Sequence, residues 1–377
     1  MKLNFPHNAA NRIWGWMLAI DIAIMPGLFF YKLFFHDPQI GYIHLLATYR
    51  FGFAKRALVG TIVSWFADRV ALWYVYAIGI VAWAVTLTLF IATFRKIYGL
   101  TEKNLALFVF VIGSPFFFKN FMYSIEYFDI YGCLVALIAL LLPVSGIYPL
   151  AMAGACVGLI LMHHLQFLLY IPTIGFIVLV RYGLLSGVSV GKVVYGLMLV
   201  LALSVVFVAA AYFGNMPIPH DAFLAYVTAR ASDTLDPAGT NIWYSTIQQE
   251  VRATWGIMWT NSMRFPIYAA LIALHVPVAR HLGALLGSLA IPSHRLISIA
   301  ALAAISIGYL VIGAVVFDYS RWVSNWGVCM FMAMLAVRCL PSKAMEADIP
   351  IRPGERVNLV MGWTATAIPR VGITKPF

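Results

Sequence analysis

Arg50, Lys55 and Arg56 fall close together in the stretch YRFGFAKRALVG. Arginine and lysine neutralise phosphate, and a guanidinium can hold two of its oxygens at once. Upstream, Asp37 follows His36 and precedes Pro38, whose ring restricts the backbone around the carboxylate. A carboxylate held there can take the proton of a sugar hydroxyl as that oxygen attacks an activated anomeric carbon. The plainer readings of the same residues are cations that touch lipid headgroups and an Asp-Pro turn that ends a helix.

Glu126 and Asp129, in FKNFMYSIEYFDIYG, are spaced to share one helix face. Tyr127 and its aromatic neighbours beside them offer stacking surface for a sugar ring. His163, His164 and Gln166 form a second polar group at a tight turn, suited to hydrogen-bonding a phosphate or to proton transfer. Adjacent histidines point in different directions on a helix, so they are poorly placed to grip one metal ion. Asp318 and Arg321, in VVFDYSRWVSNWG, either pair with each other or hold the charge of a leaving group. Asp21 is the one carboxylate inside an apolar run.

The background to these residues is very apolar. The chain is 63% hydrophobic and only 10% charged, against about a quarter charged in an ordinary soluble domain. Apolar runs near the length needed to cross about 30 Å of hydrocarbon recur from end to end. About ten spans are expected, at roughly 13–35, 71–94, 104–119, 127–144, 147–163, 166–182, 192–213, 264–280, 296–316 and 322–340. The fold class expected is an all-α, polytopic transmembrane bundle occupying 1–340, with outer loops 36–70 and 214–263 and a cytoplasmic tail 341–377. Segment 41–68 is too polar to span, and an interfacial amphipathic helix is the natural form for it. A second such helix is expected in IWYSTIQQEVRATWGIMW.

Orientation follows the bias of Lys and Arg toward the cytoplasm. With the N-terminus inside, Lys2, Arg12, Arg95, Lys96, Lys103, Arg181, Lys192, Arg280, Arg295 and the basic tail from Arg338 all fall inside. Most carboxylates fall outside, and every outer connection then carries polar groups with possible chemistry. An N-in, C-in arrangement is the one these counts favour. The four cysteines, Cys133, Cys156, Cys329 and Cys339, lie in apolar spans without metal or disulfide spacing. The net charge of +11 suits anionic lipid, so nucleic acid is not needed as a partner. No phosphate-cradling loop, dinucleotide fingerprint, zincin helix or nucleophile elbow is present.

In plan, the chain resembles the GT-C superfamily of membrane glycosyltransferases and the related bacterial surface-polysaccharide polymerases of O-antigen type. The shared features are an acid in the first outer loop (here Asp37), helical material after it, a long late outer loop and outward cations. YRFGFAKRALVG also looks like the Arg-Gly-Leu-x-Gly-type segment of multispan polysaccharide proteins, with Ala57 in place of the glycine after Arg56. An Arg-x10-Gly pattern is not met from Arg230, which Asn241 follows at that spacing. The resemblance implies a bacterial inner-membrane glycosyltransferase working at the periplasmic face in polysaccharide or lipopolysaccharide assembly, by single transfer or polymerisation. Its partners would be a polyprenyl-phosphate or diphosphate-linked sugar donor, a glycan or lipid-linked acceptor, and membrane lipid. On that reading Asp37, or failing it Asp129 or Glu126, activates the acceptor. Arg50, Lys55, Arg56 and Arg321 hold the phosphate, while His36, Tyr127, His163, His164, Gln166 and Asp318 contact substrate. The resemblance fixes no cofactor, and a divalent metal beside the carboxylates is left open. The rival from another class is a transporter or flippase for a lipid-linked or anionic substrate.

Overall fold

The computed structural model describes residues 7–343 and 351–371. The described residues are helical, apart from turns and two isolated β-bridges. In chain order the helices are α1 (His7–Phe35), α2 (Gln39–Leu46), α3 (Leu58–Ser64), α4 (Trp73–Ile97), α5 (Leu105–Ile112), α6 (Phe118–Tyr123), α7 (Asp129–Leu141), α8 (Tyr148–Met162) and α9 (Gln166–Leu169). They continue as α10 (Ile171–Val178), α11 (Val190–Phe213), α12 (His220–Arg230), α13 (Ile247–Asn261), α14 (Phe265–Ala273), α15 (Val276–Ser288), α16 (Pro292–Val315), α17 (Tyr319–Arg338) and α18 (Arg356–Ala367).

Among the described residues four helices, α1, α4, α11 and α16, are long and apolar enough to cross a membrane. The pair α14 and α15, bent by 54°, brings the number to five if it is counted as one span. Their outward surfaces fit that role. On α11, Leu197 and Leu201 are 64% and 66% exposed, and neighbouring Val200 and Met198 are exposed beside them. Water disfavours so continuous an apolar surface, whereas hydrocarbon accepts it. At the centre, α17 is buried from Gly327 to Val337 apart from the half-buried Met330, and packs against α7, α10 and α16.

Expected spans are broken at 264–280, where α14 gives way to α15, and at 104–119. Residues 104–119 do not form a continuous helix, because α5 stops at Ile112 and α6 begins at Phe118. Pro115 lacks the amide a helix needs and biases Ser114 away from helical geometry. The Ser114 hydroxyl accepts the Phe116 amide instead and meets His275 Nε2 at 2.7 Å, where α14 gives way to α15. His275 Nδ1 lies 2.8 Å from the Leu271 carbonyl, which can only accept. The proton is therefore on Nδ1, and Ser114 donates to Nε2. Gly113 lets α1 approach this break: a Cβ there would lie 2.0 Å from Asp21 Oδ2. Gly113→Ala is expected to lower stability by about 1–3 kcal/mol, read as a lower melting temperature of the purified protein. An unchanged melting temperature would refute this packing.

The two long connections are also not as expected. Segment 41–68 is not one surface helix. It consists of α2 and α3 separated by an irregular turn with positive φ at Gly52 (113°) and Arg56 (62°). Helix α2 is buried from Gly41 to Leu46. It packs with α3, α12 and the turn Pro237–Trp243 around Tyr42, Leu46, Phe223, Val227 and Trp243, so the two connections share one apolar core. Arg230 sews them together through the carbonyls of Leu46, Ala67 and Asp68. Gly60 makes the α2–α3 contact possible, since a Cβ would fall 2.0 Å from the Ala47 carbonyl oxygen. The second expected helix is present as α13, opened by a capping box of Thr246 and Gln249. Its Thr254 and Trp255 donate to the last carbonyls of α16.

The expected tail, 341–377, is not a detached segment where it is described. Residues 351–371 pack along α1, from Trp14, which donates to the Pro353 carbonyl at 3.1 Å, toward Tyr123, which Arg370 covers at 3.8 Å. The anchor is Lys119. Its ammonium reaches Asp21 at 2.9 Å, the Ala365 carbonyl at 2.8 Å and the Thr366 carbonyl at 3.1 Å. Those carbonyls belong to the last turn of α18, the negative end of the helix.

Candidate functional site

Of the polar residues singled out above, Asp129, Asp318, Arg321, Lys55, Arg56, His163, His164 and Gln166 gather where the first turns of α7 and α17, the α8–α9 turn and the α2–α3 turn meet. Arg321 projects from the first turn of α17. Its Nε lies 2.6 Å from Asp129 Oδ2, and its Nη1 lies 3.2 Å from Asp318 Oδ2. Its guanidinium sits 4.3 Å from the ring centre of Tyr127 and 4.6 Å from that of Trp322. Arg321 is thus clamped by two carboxylates and two aromatic faces. The pairing that its spacing from Asp318 allows is made, and Asp129 joins it. A cation already matched by two carboxylates is poorly suited to be the main phosphate holder, and positioning Asp129 is the role this geometry favours.

The cations without a carboxylate ion pair among the described residues of the cluster are Arg56 and Lys55. Arg56 is 9% exposed, makes no side-chain hydrogen bond or ion pair among the described residues, and leaves its Nε buried without a partner. Its positive φ is strained for a non-glycine residue, a feature that clusters at working sites. Burial pulls the Arg56 pKa down to about 10, with Glu250 opposing and the charge of Arg321 adding to the fall. Lys55 donates to the Ser245 carbonyl at 2.6 Å, and burial together with Arg56 brings its pKa to about 8 against the pull of Glu250. Two cations in one low-dielectric region repel unless an anion lies between them.

Around them lie neutral imidazoles with unused atoms. His44 Nδ1 is 2.6 Å from the Ile40 carbonyl, so it carries the proton and Nε2 presents a lone pair that is buried and unpartnered. Burial, with Arg56 and Arg321 assisting, lowers the His44 pKa to about 3. His163 and His164 stack with ring centres 5.7 Å apart, and each has a buried Nδ1 without a partner. Burial and the nearby Arg56 hold both well below the ordinary imidazole value. Gln166 donates to the Phe128 carbonyl at 2.9 Å while its Oε1 is buried and unsatisfied. Each such atom costs about 1–3 kcal/mol when nothing binds it. Orphans gathered beside unmatched cations therefore point to a ligand.

Other expected members stand apart. Glu126 pairs with Lys32 at 2.6 Å instead of sharing a site with Asp129. Its pKa is raised by burial, with Lys32 and then Arg321 opposing. Asp37 is exposed at the end of α1 and its side chain makes no hydrogen bond or ion pair among the described residues. His36 lies beside it, its ring edge-on to Tyr123 and its carbonyl accepting the Tyr76 hydroxyl at 2.5 Å. Arg50 points away from the cluster toward Tyr226, 5.7 Å from its ring centre. The expected foursome of phosphate-binding cations is therefore divided. Lys55 and Arg56 belong together, Arg321 is neutralised, and Arg50 is elsewhere.

Lys32, His44 and Glu250 were not marked by the sequence as members. His44 hides in an apolar run, and Glu250 comes from α13, distant in the chain. Glu250 accepts from the Ser245 hydroxyl at 2.8 Å and supplies the countercharge felt by Lys55 and Arg56. Among the described residues no group of three or more His, Cys, Asp or Glu is arranged to hold a metal. Compared with protein-family models, with curated proteins and with solved structures, the chain gives no significant match in any of the three.

Proposed function

We propose that the chain is an inner-membrane glycosyltransferase of GT-C-like plan, taking a sugar or oligosaccharide from a polyprenyl phosphate or diphosphate at the periplasmic face. The observation that carries the reading is the cluster of buried, unsatisfied donors and acceptors around Arg56 and the Asp129–Arg321 pair. In the reaction, an acceptor hydroxyl attacks the anomeric carbon and the bond from that carbon to the phosphate oxygen breaks. The phosphate leaves with the electron pair, and Arg56 and Lys55 neutralise it. Asp129, oriented by Arg321, receives the hydroxyl proton. His44, His163, His164 and Gln166 hydrogen-bond sugar and phosphate oxygens, and Tyr127 supports Arg321. Asp37 and Glu126, the alternative bases, stand outside the cluster and have lesser parts here.

The test is transfer of labelled sugar from a polyprenyl-linked donor to a glycan acceptor by purified protein in nanodiscs. Asp129→Asn is expected to lower the rate by about 10²–10⁴-fold, while Asp37→Asn changes it by less than about threefold, with folding matched by melting temperature. The reverse ranking would restore Asp37 as the base, and absence of transfer from every lipid-linked donor would end the reading.

Lys55 gives a pH dependence. In the free protein its pKa is lowered to about 8, and a bound phosphate would raise it. Below pH 8 the cation is present before binding. Above pH 8 binding must also take up a proton, so donor affinity falls by up to about tenfold per pH unit until the bound-state pKa is reached. Donor KM is therefore expected to rise between pH 8 and 9 in the wild type and to stay flat in Lys55→Gln. A flat wild-type profile would remove Lys55 from the phosphate site.

A transporter is the second reading. It is favoured by the broken helix pairs α5–α6 and α14–α15, which meet at Ser114 and His275 near the Asp21–Lys119 pair. Gradient-driven uptake into proteoliposomes without glycosyl transfer would select it.

A further inference from the structure

A hollow of about 590 Å³ lies on the unit built from α2, α3 and α12 and shares none of its lining residues with the Arg56 cluster. Its wall includes Tyr49, Arg50, Thr61, Ser64, Asp68 and Tyr226. Three features make it look built. The Tyr49 hydroxyl is buried and has no partner. The Arg50 side chain makes no hydrogen bond or ion pair among the described residues, and lies over the rings of Tyr226 and Phe51 in cation–π contact. Tyr226 is itself fixed, its hydroxyl 2.7 Å from Thr48 Oγ1 and its ring 5.8 Å from the Arg230 guanidinium, which the loop carbonyls immobilise.

The wall chemistry selects the occupant. The lining is mostly apolar with hydroxyls, a carboxylate and guanidinium groups set into it, so it offers both the C–H faces and the hydroxyls of a sugar ring a partner. Hydroxyls of Tyr49, Thr61 and Ser64 with the Asp68 carboxylate match a polyhydroxyl ligand, and Arg50 adds a free positive donor. Trp65 and Phe66, 72% and 84% exposed at the end of α3, place apolar surface beside the hollow. Such aromatics suit the boundary between lipid and water, where a growing glycan would emerge.

We propose that this hollow binds the carbohydrate of an acidic glycan, with Arg50 on its carboxylate and the Tyr49 hydroxyl on a ring oxygen or hydroxyl. That the glycan is the acceptor or the growing product rests on the transfer reading above; the binding does not. The experiment is calorimetry of detergent-solubilised full chain with an oligoglucuronic acid, a neutral gluco-oligosaccharide of the same length, and inorganic phosphate. The acidic oligosaccharide is expected to bind at least tenfold tighter than the neutral one. Arg50→Gln should weaken it about tenfold, Arg50→Lys should recover part of the loss, and Tyr49→Phe should weaken it severalfold. Binding that persists in Arg56→Gln, measured alongside, separates this hollow from the transfer site. The proposal is overturned if the wild type does not bind, if acidic and neutral probes bind equally, or if phosphate alone binds as tightly. Should Arg50→Gln fail to fold, Tyr49→Phe decides, and unchanged affinity there also overturns it.

Discussion

Replacing Arg56 by glutamine is expected to reduce sugar transfer from a polyprenyl-linked donor by about 10²–10³-fold, the size of effect seen when a preorganised charge-stabilising donor is removed. The loss should appear in kcat/KM, with part of it in kcat, because charge on the phosphate grows as the sugar departs. The argument is electrostatic. Arg56 is buried, lacks a side-chain hydrogen bond, and lies near enough to Arg321 for their charges to oppose each other. A protein bears that arrangement more readily if an anion completes it. Arg56→Lys keeps the charge but not the two-pronged geometry, so it should recover activity only in part. Removing an unsatisfied buried cation should also leave the fold as stable as before or more so. A Gln variant that transfers at the wild-type rate would show that the cluster holds no phosphate.

The second large effect is on the fold. Lys119→Met is expected to destabilise the protein by about 3–5 kcal/mol, since it leaves the Asp21 carboxylate buried without its countercharge. Both side chains are fully buried, and Lys119 uses all three of its donors on Asp21 and the end of α18. Loss of the ammonium should therefore also free α18 from α1, and limited proteolysis within residues 351–371 would register it. Replacing both partners, as Asp21→Val with Lys119→Met, should recover most of the stability because no lone charge remains. If the single variant melts like the wild type, the pair does not hold the segment. The consequence for the site is indirect: α6 carries Lys119 and leads into the loop bearing Glu126 and then into α7, which begins at Asp129.

Much of the architecture could be read in advance. The runs at 13–35, 71–94, 192–213 and 296–316 became α1, α4, α11 and α16, because hydrocarbon-length apolar segments have little choice but helix. The run at 104–119 failed through Gly113, Ser114 and Pro115, whose local chemistry overrode its hydropathy. Segment 41–68 failed as a single surface helix because it folds against a partner far away in the chain, with α12 and Trp243 covering α2. Within the site, the pair Asp318–Arg321 was legible from spacing alone. That Asp129 would take Arg321 while Glu126 took Lys32 was not, since residues sharing a helix face in prospect can turn to different neighbours when a loop intervenes.

The amino-acid sequence on its own determined a helical chain built for an apolar solvent and the small set of polar residues able to do chemistry in it. Composition and run length are local properties, and hydrocarbon acts on them directly. Only the tertiary structure decided which of those residues meet. Charges distant along the chain find partners through the packing of α1, α7, α13 and α17, and that packing left Arg56 unmatched, set Arg50 in a separate hollow and left Asp37 exposed outside the cluster.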